Sequence, residues 1–296
     1  MTPDELKKAV LGVKRWSRGD QRAPNKPLMM VYALARYIQG HDQMFSYEHE
    51  VEQDVTALLK RFGPSRKAYQ ARYPFWRLLN DGIWRLDNAQ SFMPYKDNAD
   101  PPKSLLIAND VTGGFSDEAY KLIIKDTAFA IELLESILVE SFPDSIIPEI
   151  TAHLGLEFTY KHLQKRDPKF RREVLRAYNY KCAVCGFDMR MDDMAVGLEA
   201  AHIKWKQFNG PCDVQNGLSL CSLHHKMFDK GAFGITDDFK IRISPAVNGG
   251  DWVKKLLFDY EGSMIVLPRE KQVQPSASFL DWHHSEVVLS ACTSHL

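Results

Sequence analysis

Between residues 182 and 229 the chain concentrates side chains suited to chemistry: Cys182, Cys185, His202, Asn216, Cys221, His224, His225 and Asp229. They occur in the segments YKCAVCG, EAAHI, QNGLSLC and SLHHKMFD. Two chemistries separate within them. Cys182-x2-Cys185 and Cys221-x2-His224 each put two ligands on one tight turn, the two halves of a tetrahedral site. Thiolate and imidazole donors suit zinc, and closing a long loop with Zn2+ contributes folding free energy directly. The plain alternative is a reduced pair of buried cysteines beside an unrelated histidine. Cys212 and Cys292 match neither spacing and read as ordinary thiols.

The remaining set, His202, Asn216, His225 and Asp229, fits hydrolysis of a phosphodiester. That reaction needs a base to deprotonate water and a cation to neutralise charge on the phosphate and the leaving oxygen. Histidine supplies a base near neutral pH. His225 and Asp229 lie four apart, so on a helix they share a face and can chelate one divalent cation, Mg2+ or Mn2+. Asn216 has no useful pKa; its expected work is to orient backbone or water.

Elements must place these groups. VGLEAA reads as a strand ending at His202, and a helix starting at Pro168 behind the cap Asp167 leads into the cysteine pair. Upstream the pattern is mainly helical. Leu28, Val31, Leu34, Ala35 and Ile38 form one apolar stripe ending at Gly40; Val51, Val55, Leu58, Leu59 and Phe62 form another behind the cap Ser46. An Asp-Gly signal within residues 73–86 suggests a short hairpin or wing. A single long helix is expected from Asp117 through Leu138, and the proline-marked stretch 143–168 as the interdomain connection. The resulting expectation is an α+β chain, with a helical domain at 1–155 and a second domain at 156–296. Trp252, Phe258, Tyr260 and the stretch 287–289 read as packing elements around the second core.

Net charge is zero, but its distribution is segregated. Residues 60–77 carry six Lys/Arg and no acid, and residues 161–181 carry eight against two, whereas residues 97–151 carry eleven acids against three lysines. Separate basic faces of this kind can track phosphates. No apolar run is long enough for a membrane helix. Five cysteines without a signal-peptide layout lead us to expect reduced thiols or metal ligands and a cytoplasmic protein.

Residues 180–234 resemble the HNH endonuclease module of the ββα-metal fold, and EAAHI…NGLSLC…HHKMFDKGAF is similar to the HNH domains of bacterial modification-dependent restriction endonucleases. The resemblance implies His202 as general base, Asn216 as the HNH asparagine, His225 as the last histidine and Asp229 as a metal ligand one turn on. Many such modules carry Asp or His immediately before the base. Here that position is Ala201, and Glu199 either compensates or points away.

The first half offers Arg22-Ala23-Pro24-Asn25-Lys26-Pro27 and Tyr73-Pro74-Phe75-Trp76-Arg77. By chemistry alone these are cations beside apolar rings, with Phe75 and Trp76 expected in the core. Residues 1–150 resemble the sulfur-binding domain that precedes HNH modules in phosphorothioate-dependent restriction endonucleases. That resemblance implies Tyr73 and Pro74 as an apolar cradle for the backbone sulfur, with Arg22, Lys26 and Arg77 as polar contacts; Asn25 stands where the family often has His. A sulfur in place of oxygen is larger and poorly hydrated, so an apolar cradle favours it. The implied protein is a type IV restriction endonuclease acting on phosphorothioated duplex DNA, with double-strand cutting suggesting a homodimer. The alternatives are an HNH nuclease dependent on a methylated base and a catalytically inactive, zinc-containing DNA-binding regulator.

Overall fold

The computed structural model describes residues 1–13, 17–18, 21–22, 25–63, 68–93, 95, 99–156 and 168–288. The chain forms two compact units: Met1–Pro64, Ala68–Phe142 and Ile147–Leu163 in one, and Ser65–Lys67, Pro143–Ile146 and Gln164–Leu296 in the other. Among the described residues no helix is long and apolar enough to cross a membrane.

In the first unit α1 (Pro3–Leu11) opens on a capping box between Thr2 and Glu5. A two-residue ribbon, β1 (Ser17–Arg18) with β2 (Gln21–Arg22), precedes α2 (Asn25–Ile38). Every residue of α2 from Pro27 to Ala35 is buried, so this helix is the unit's central core element rather than an amphipathic surface one. Ser46 ends β3 (Phe45–Ser46) and accepts from the His49 amide, capping a helical turn that runs into α3 (Glu52–Phe62). Further on lie α4 (Arg72–Arg77), β4 (Trp84–Asp87), α5 (Lys103–Ala108) and β5 (Thr112–Phe115). β5 is the middle strand of an antiparallel sheet between β3 and β4. A Cβ at Gly114 would sit 2.0 Å from the Gln43 carbonyl oxygen, so only glycine lets β5 lie this close to its neighbour.

Three expectations need correction here. Residues 73–86 do not form a hairpin. Tyr73-Pro74-Phe75-Trp76 is helical, with proline tolerated in the first turn, and Gly82 at φ 73° ends the following 3-10 turn and redirects the chain into β4, whose partner is β5. The long helix is two: α6 (Asp117–Lys125) and α7 (Thr127–Ser141). Asp126 is extended between them, and its carboxylate accepts from the Ala128 and Phe129 amides, so a residue read as helix interior acts as a cap. Residues 143–168 are not a plain connection either. Ile147–His153 forms α8 in the first unit, while Pro143–Ile146 belongs to the second. Asp167 and Cys292 lie outside the described residues, as do the side chains of Arg22 and Pro168.

The second unit begins with α9 (Pro168–Ala177), then the ribbon β6 (Arg190–Met191) and β7 (Met194–Ala195). Its centre is the antiparallel pair β8 (Leu198–His202) and β9 (Gly217–Cys221), with His202 opposite Gly217 and Leu198 opposite Cys221. Helix α10 (Ser222–Asp229) follows β9 directly. Phe170, Val174, Leu198, Leu218, Leu220 and Phe228 share one buried cluster. A Cβ at Gly217 would meet Val174 Cγ2 at 2.4 Å, so the glycine after Asn216 is what lets α9 seat against the strands. A second ribbon, β10 (Phe233–Ile235) with β11 (Ile241–Ile243), and helices α11 (Asp251–Leu256) and α12 (Ala277–Glu286) complete the unit. Trp252 is 75% exposed and is not a packing element; Lys255 lies over its ring. Val287 and Val288 are buried as expected, Tyr260 packs against the core, and Leu257 is buried within it.

Replacing the cap between α6 and α7 tests this division. Asp126→Ala is expected to lower unfolding stability by about 1 kcal/mol, the usual cost of losing a carboxylate N-cap. The shift would be read in the urea midpoint at unchanged slope; an unchanged midpoint would mean the cap contributes nothing.

Candidate active site and metal centre

The candidate metal centre is built on two turns. Gly186, at φ 73°, lets the chain reverse so that its amide reaches the Cys182 carbonyl, and both Cys182 and Cys185 side chains project from that loop. Cys221 is the N-cap residue of α10, and His224 falls in the helix's first turn. One donor atom from each of Cys182, Cys185, Cys221 and His224 lies within 4.8 Å of the others. His224 Nδ1 is 3.6 Å from Cys182 Sγ and 3.1 Å from Cys221 Sγ. Zinc–sulfur and zinc–nitrogen bonds near 2.2 Å imply donor separations of about 3.6 Å in a tetrahedron, so the cluster has the dimensions for one zinc ion.

The tautomer agrees. His224 Nε2 is 2.7 Å from the Leu256 carbonyl, which can only accept, so Nε2 carries the proton and Nδ1 turns its lone pair toward the sulfurs. Phe233 and Tyr260 meet the ring edge-on at 6.2 Å and 6.1 Å and close the pocket around it. With no metal between the donors, burial opposes a charge on His224, yet Cys182 and Cys221 outweigh it and push the pKa up to about 10, so Nδ1 faces a position where a cation would replace a proton. The C-terminal region thus has a role that sequence reading missed, because a carbonyl acceptor leaves no signature in residue type.

His225, one residue on, faces elsewhere. Its Nε2 is 3.2 Å from Asp229 Oδ2, one turn along α10, and its Nδ1 is 2.5 Å from Glu199 Oε2. Burial again opposes charge, but Asp229 and Glu199 prevail and push the His225 pKa up to about 10. A proton between Nε2 and a carboxylate marks a position that a divalent cation can take. Glu199 accepts from Ser222 as well, at 3.1 Å, so it fixes the imidazole from the strand side. The period-2 alternation of β8 puts Glu199 on the same face as Ala201. Position 201 offers no ligand atom, and Glu199 reaches His225 rather than pointing away. Ser145 also donates to Asp229, a contact with no local sequence signal because the two are far apart in the chain.

His202 ends β8 with its ring stacked on Phe170 at 4.1 Å. Cys212 Sγ lies 3.6 Å from its Nε2, so Cys212 is not the bystander its spacing suggested. His202, Cys212, His225, Asp229, Arg171 and Lys206 line one cleft of the second unit. Asn216 is fully buried and does not touch it. Its Oδ1 accepts from the Lys204 amide at 2.8 Å, and its Nδ2 donates to the Lys204 and Pro211 carbonyls at 2.9 Å each. It staples the loop that begins at His202 and carries Cys212.

In the first unit, α4 brings Tyr73, Pro74 and Arg77 together. Pro74 is buried, so the accessible apolar surface is the half-buried Tyr73 ring. Arg77 and Arg72 both stand over that ring, 4.9 Å and 4.3 Å from its centre, and Arg72 Nη2 donates to Tyr73 Oη at 2.8 Å. Arg72 was not among the predicted contacts. Arg77 also pairs with Asp100, and Lys26 pairs with Asp81 at 2.5 Å. These ion pairs hold both cations in place. Nothing is described of the Arg22 side chain.

The three bonds of Asn216 to the loop backbone have a clear consequence. Asn216→Ala strands three backbone groups, two of them buried at Lys204, and is expected to cost on the order of 3 kcal/mol. Asn216→Asp should not rescue it, since a carboxylate cannot donate to the two carbonyls. Thermal unfolding of both variants checks this; wild-type stability in either would mean that these bonds do not hold the loop.

Comparison with known proteins follows the same division of the chain. Residues 3–159, more than half of it, match the family model of the ScoMcrA-like DNA sulfur-binding domain. Residues 182–236 match that of the HNH endonuclease. No curated protein matches the chain in sequence. Among solved structures it is similar to the sulfur-binding domain of ScoMcrA complexed with phosphorothioated DNA, at 18% identity and a TM-score of 0.43, covering 50% of this chain and 95% of that one. The type IV phosphorothioation-dependent restriction endonuclease ScoMcrA gives 18% and 0.42, covering 50% of this chain and 32% of that one. The modification-dependent TagI restriction endonuclease gives 25% and 0.30, covering 40% and 38%. The chain belongs to the family defined by the ScoMcrA-like DNA sulfur-binding domain and carries an HNH endonuclease domain after it.

Proposed function

We propose that this protein is a modification-dependent type IV restriction endonuclease that recognises phosphorothioated duplex DNA and hydrolyses phosphodiester bonds nearby. The observation that carries the nuclease reading is the single cleft lined by His202, His225 and Asp229. His202 takes a proton from water, and the oxygen so activated attacks phosphorus in line with the departing 3′ oxygen. Arg171 and Lys206, in the same cleft, offer cationic groups to the phosphate backbone. His225 and Asp229 would hold a divalent cation, Mg2+ or Mn2+, which supplies charge neutralisation at the phosphate. Glu199 keeps the His225 Nδ1 protonated so that Nε2 remains the donor toward that cation. Cys182, Cys185, Cys221 and His224 would hold structural zinc and take no part in the chemistry.

Recognition is assigned to the first unit. The Tyr73 ring supplies apolar surface for the sulfur, backed by the buried Pro74. Arg77, Lys26 and Arg22 supply the charges that grip the flanking phosphates. Because a non-bridging sulfur is poorly hydrated, seating it on the ring costs little, whereas the oxygen of an ordinary phosphate would forfeit its hydration. Binding through several Lys/Arg–phosphate contacts should weaken steeply as salt rises.

Digestion of phosphorothioated and unmodified plasmid with added Mg2+ tests both halves. Wild type is expected to cut only the modified plasmid. His202→Ala should still bind modified DNA while cutting at least about a hundredfold more slowly, the low end of a general base's contribution. Tyr73→Ala should lose preference for sulfur rather than chemistry. Equal cutting of both plasmids by wild type would sink the recognition reading, and undiminished cutting by His202→Ala would sink the catalytic one.

A further inference from the structure

We propose that His202 and Cys212 form a second site for a thiophilic divalent cation, and that Zn2+ bound there blocks the nuclease centre. The Cys212 sulfur stands 3.6 Å from His202 Nε2. That is the separation between Cys182 Sγ and His224 Nδ1 in the metal centre, and about the edge of a tetrahedron drawn by zinc–sulfur and zinc–nitrogen bonds. The pair is also held in position. The imidazole is stacked on Phe170, interplanar angle 17°, and the loop before Cys212 is tied at the Pro211 carbonyl by Asn216.

Access and selectivity follow from the surroundings. Cys212 is exposed and both side chains line the open cleft, so an ion reaches them from solvent. Without metal, the same approach is a thiol–imidazole hydrogen bond. When zinc binds, the thiol proton passes to solvent, the thiolate and Nε2 become ligands, and water completes the shell. Two protein ligands make a looser and more exchangeable site than the four of the structural centre. Mg2+ and Mn2+, which favour oxygen donors, compete poorly for a thiolate–imidazole pair, so the activating cation and the blocking one differ in kind.

Blocking rests on the reading of His202 as general base, because a coordinated Nε2 cannot accept a proton from water. Binding does not rest on it. Two arms therefore test the proposal on the full chain with its structural metal in place. In the first, iodoacetamide alkylation of Cys212 is followed by mass spectrometry with and without added Zn2+. Zinc is expected to slow this alkylation about tenfold or more, and His202→Asn to abolish the protection, since losing a ligand costs at least what losing its supporting contacts does. In the second, wild-type and Cys212→Ser proteins are titrated with zinc in Mg2+-containing cleavage reactions, each normalised to its own zinc-free rate. Cys212→Ser should need about tenfold more zinc for half inhibition.

Unchanged alkylation of Cys212 in zinc overturns the site. Protection that survives in His202→Asn overturns the pairing, and equal zinc sensitivity of the two proteins overturns the block. Should wild type cut no DNA at all, the alkylation arm still decides the site, and it is the nuclease reading that fails.

Discussion

The grip on His224 in the first turn of α10 is the constraint on which the rest of the second unit's site depends. His224 is held between the Cys182 and Cys221 sulfurs on its Nδ1 side and the Leu256 carbonyl on its Nε2 side. That grip fixes the rotation of the helix. A single residue step, about 100° around an α-helix, then aims His225 away from the sulfurs and toward Glu199 and Asp229. Two adjacent histidines thereby face two chemistries: soft sulfur donors on one side, hard carboxylate oxygens on the other. Thiolates suit zinc and carboxylates suit magnesium or manganese, so under the proposed function the division would also sort the ions.

The strand pair supplies the opposing wall of the cleft. β8 ends at His202, β9 begins at Gly217, and the register places these two residues opposite each other. Asn216 sits immediately before Gly217 and staples the intervening loop through both ends of its amide. A glycine at 217 admits Val174, which lets α9 press Phe170 against the His202 ring. Folding energy and chemical geometry are therefore coupled: loosening Asn216 or Gly217 disturbs the ring that would act as base. Glu199 extends the coupling across to α10, since it reaches His225 and Ser222 from β8.

What the sequence made legible were features whose signal is local. Two-residue spacings announce the Cys/His turns, the apolar segment before His202 announces β8, and the i, i+4 relation of His225 to Asp229 announces a shared helix face. The cluster Cys182, Cys185, Cys221 and His224 does come together as that spacing implied. Features that depend on tertiary approach were invisible or misread. Cys212 meets His202 only because Asn216 folds the loop back, and Ser145 meets Asp229 across a long stretch of chain. Asp126 looked like helix interior because capping and interior aspartates have the same local context until the break is seen. Asp81-Gly82 was read as a hairpin turn, although the same dipeptide can end a helix, which is what Gly82 does. Residue type alone points Trp252 to the core, yet it stands in solvent with Lys255 over its ring.

The division of labour between adjacent histidines is the claim on which the rest depends, and one measurement addresses it directly. Zinc bound per folded chain is determined for His224→Ala and His225→Ala beside wild type. After dialysis that strips zinc from the exchangeable His202–Cys212 pair, this division predicts one zinc in wild type and in His225→Ala, with zinc and the second unit's cooperative fold lost in His224→Ala. Retention of zinc by His224→Ala, or its loss from His225→Ala alone, would contradict it.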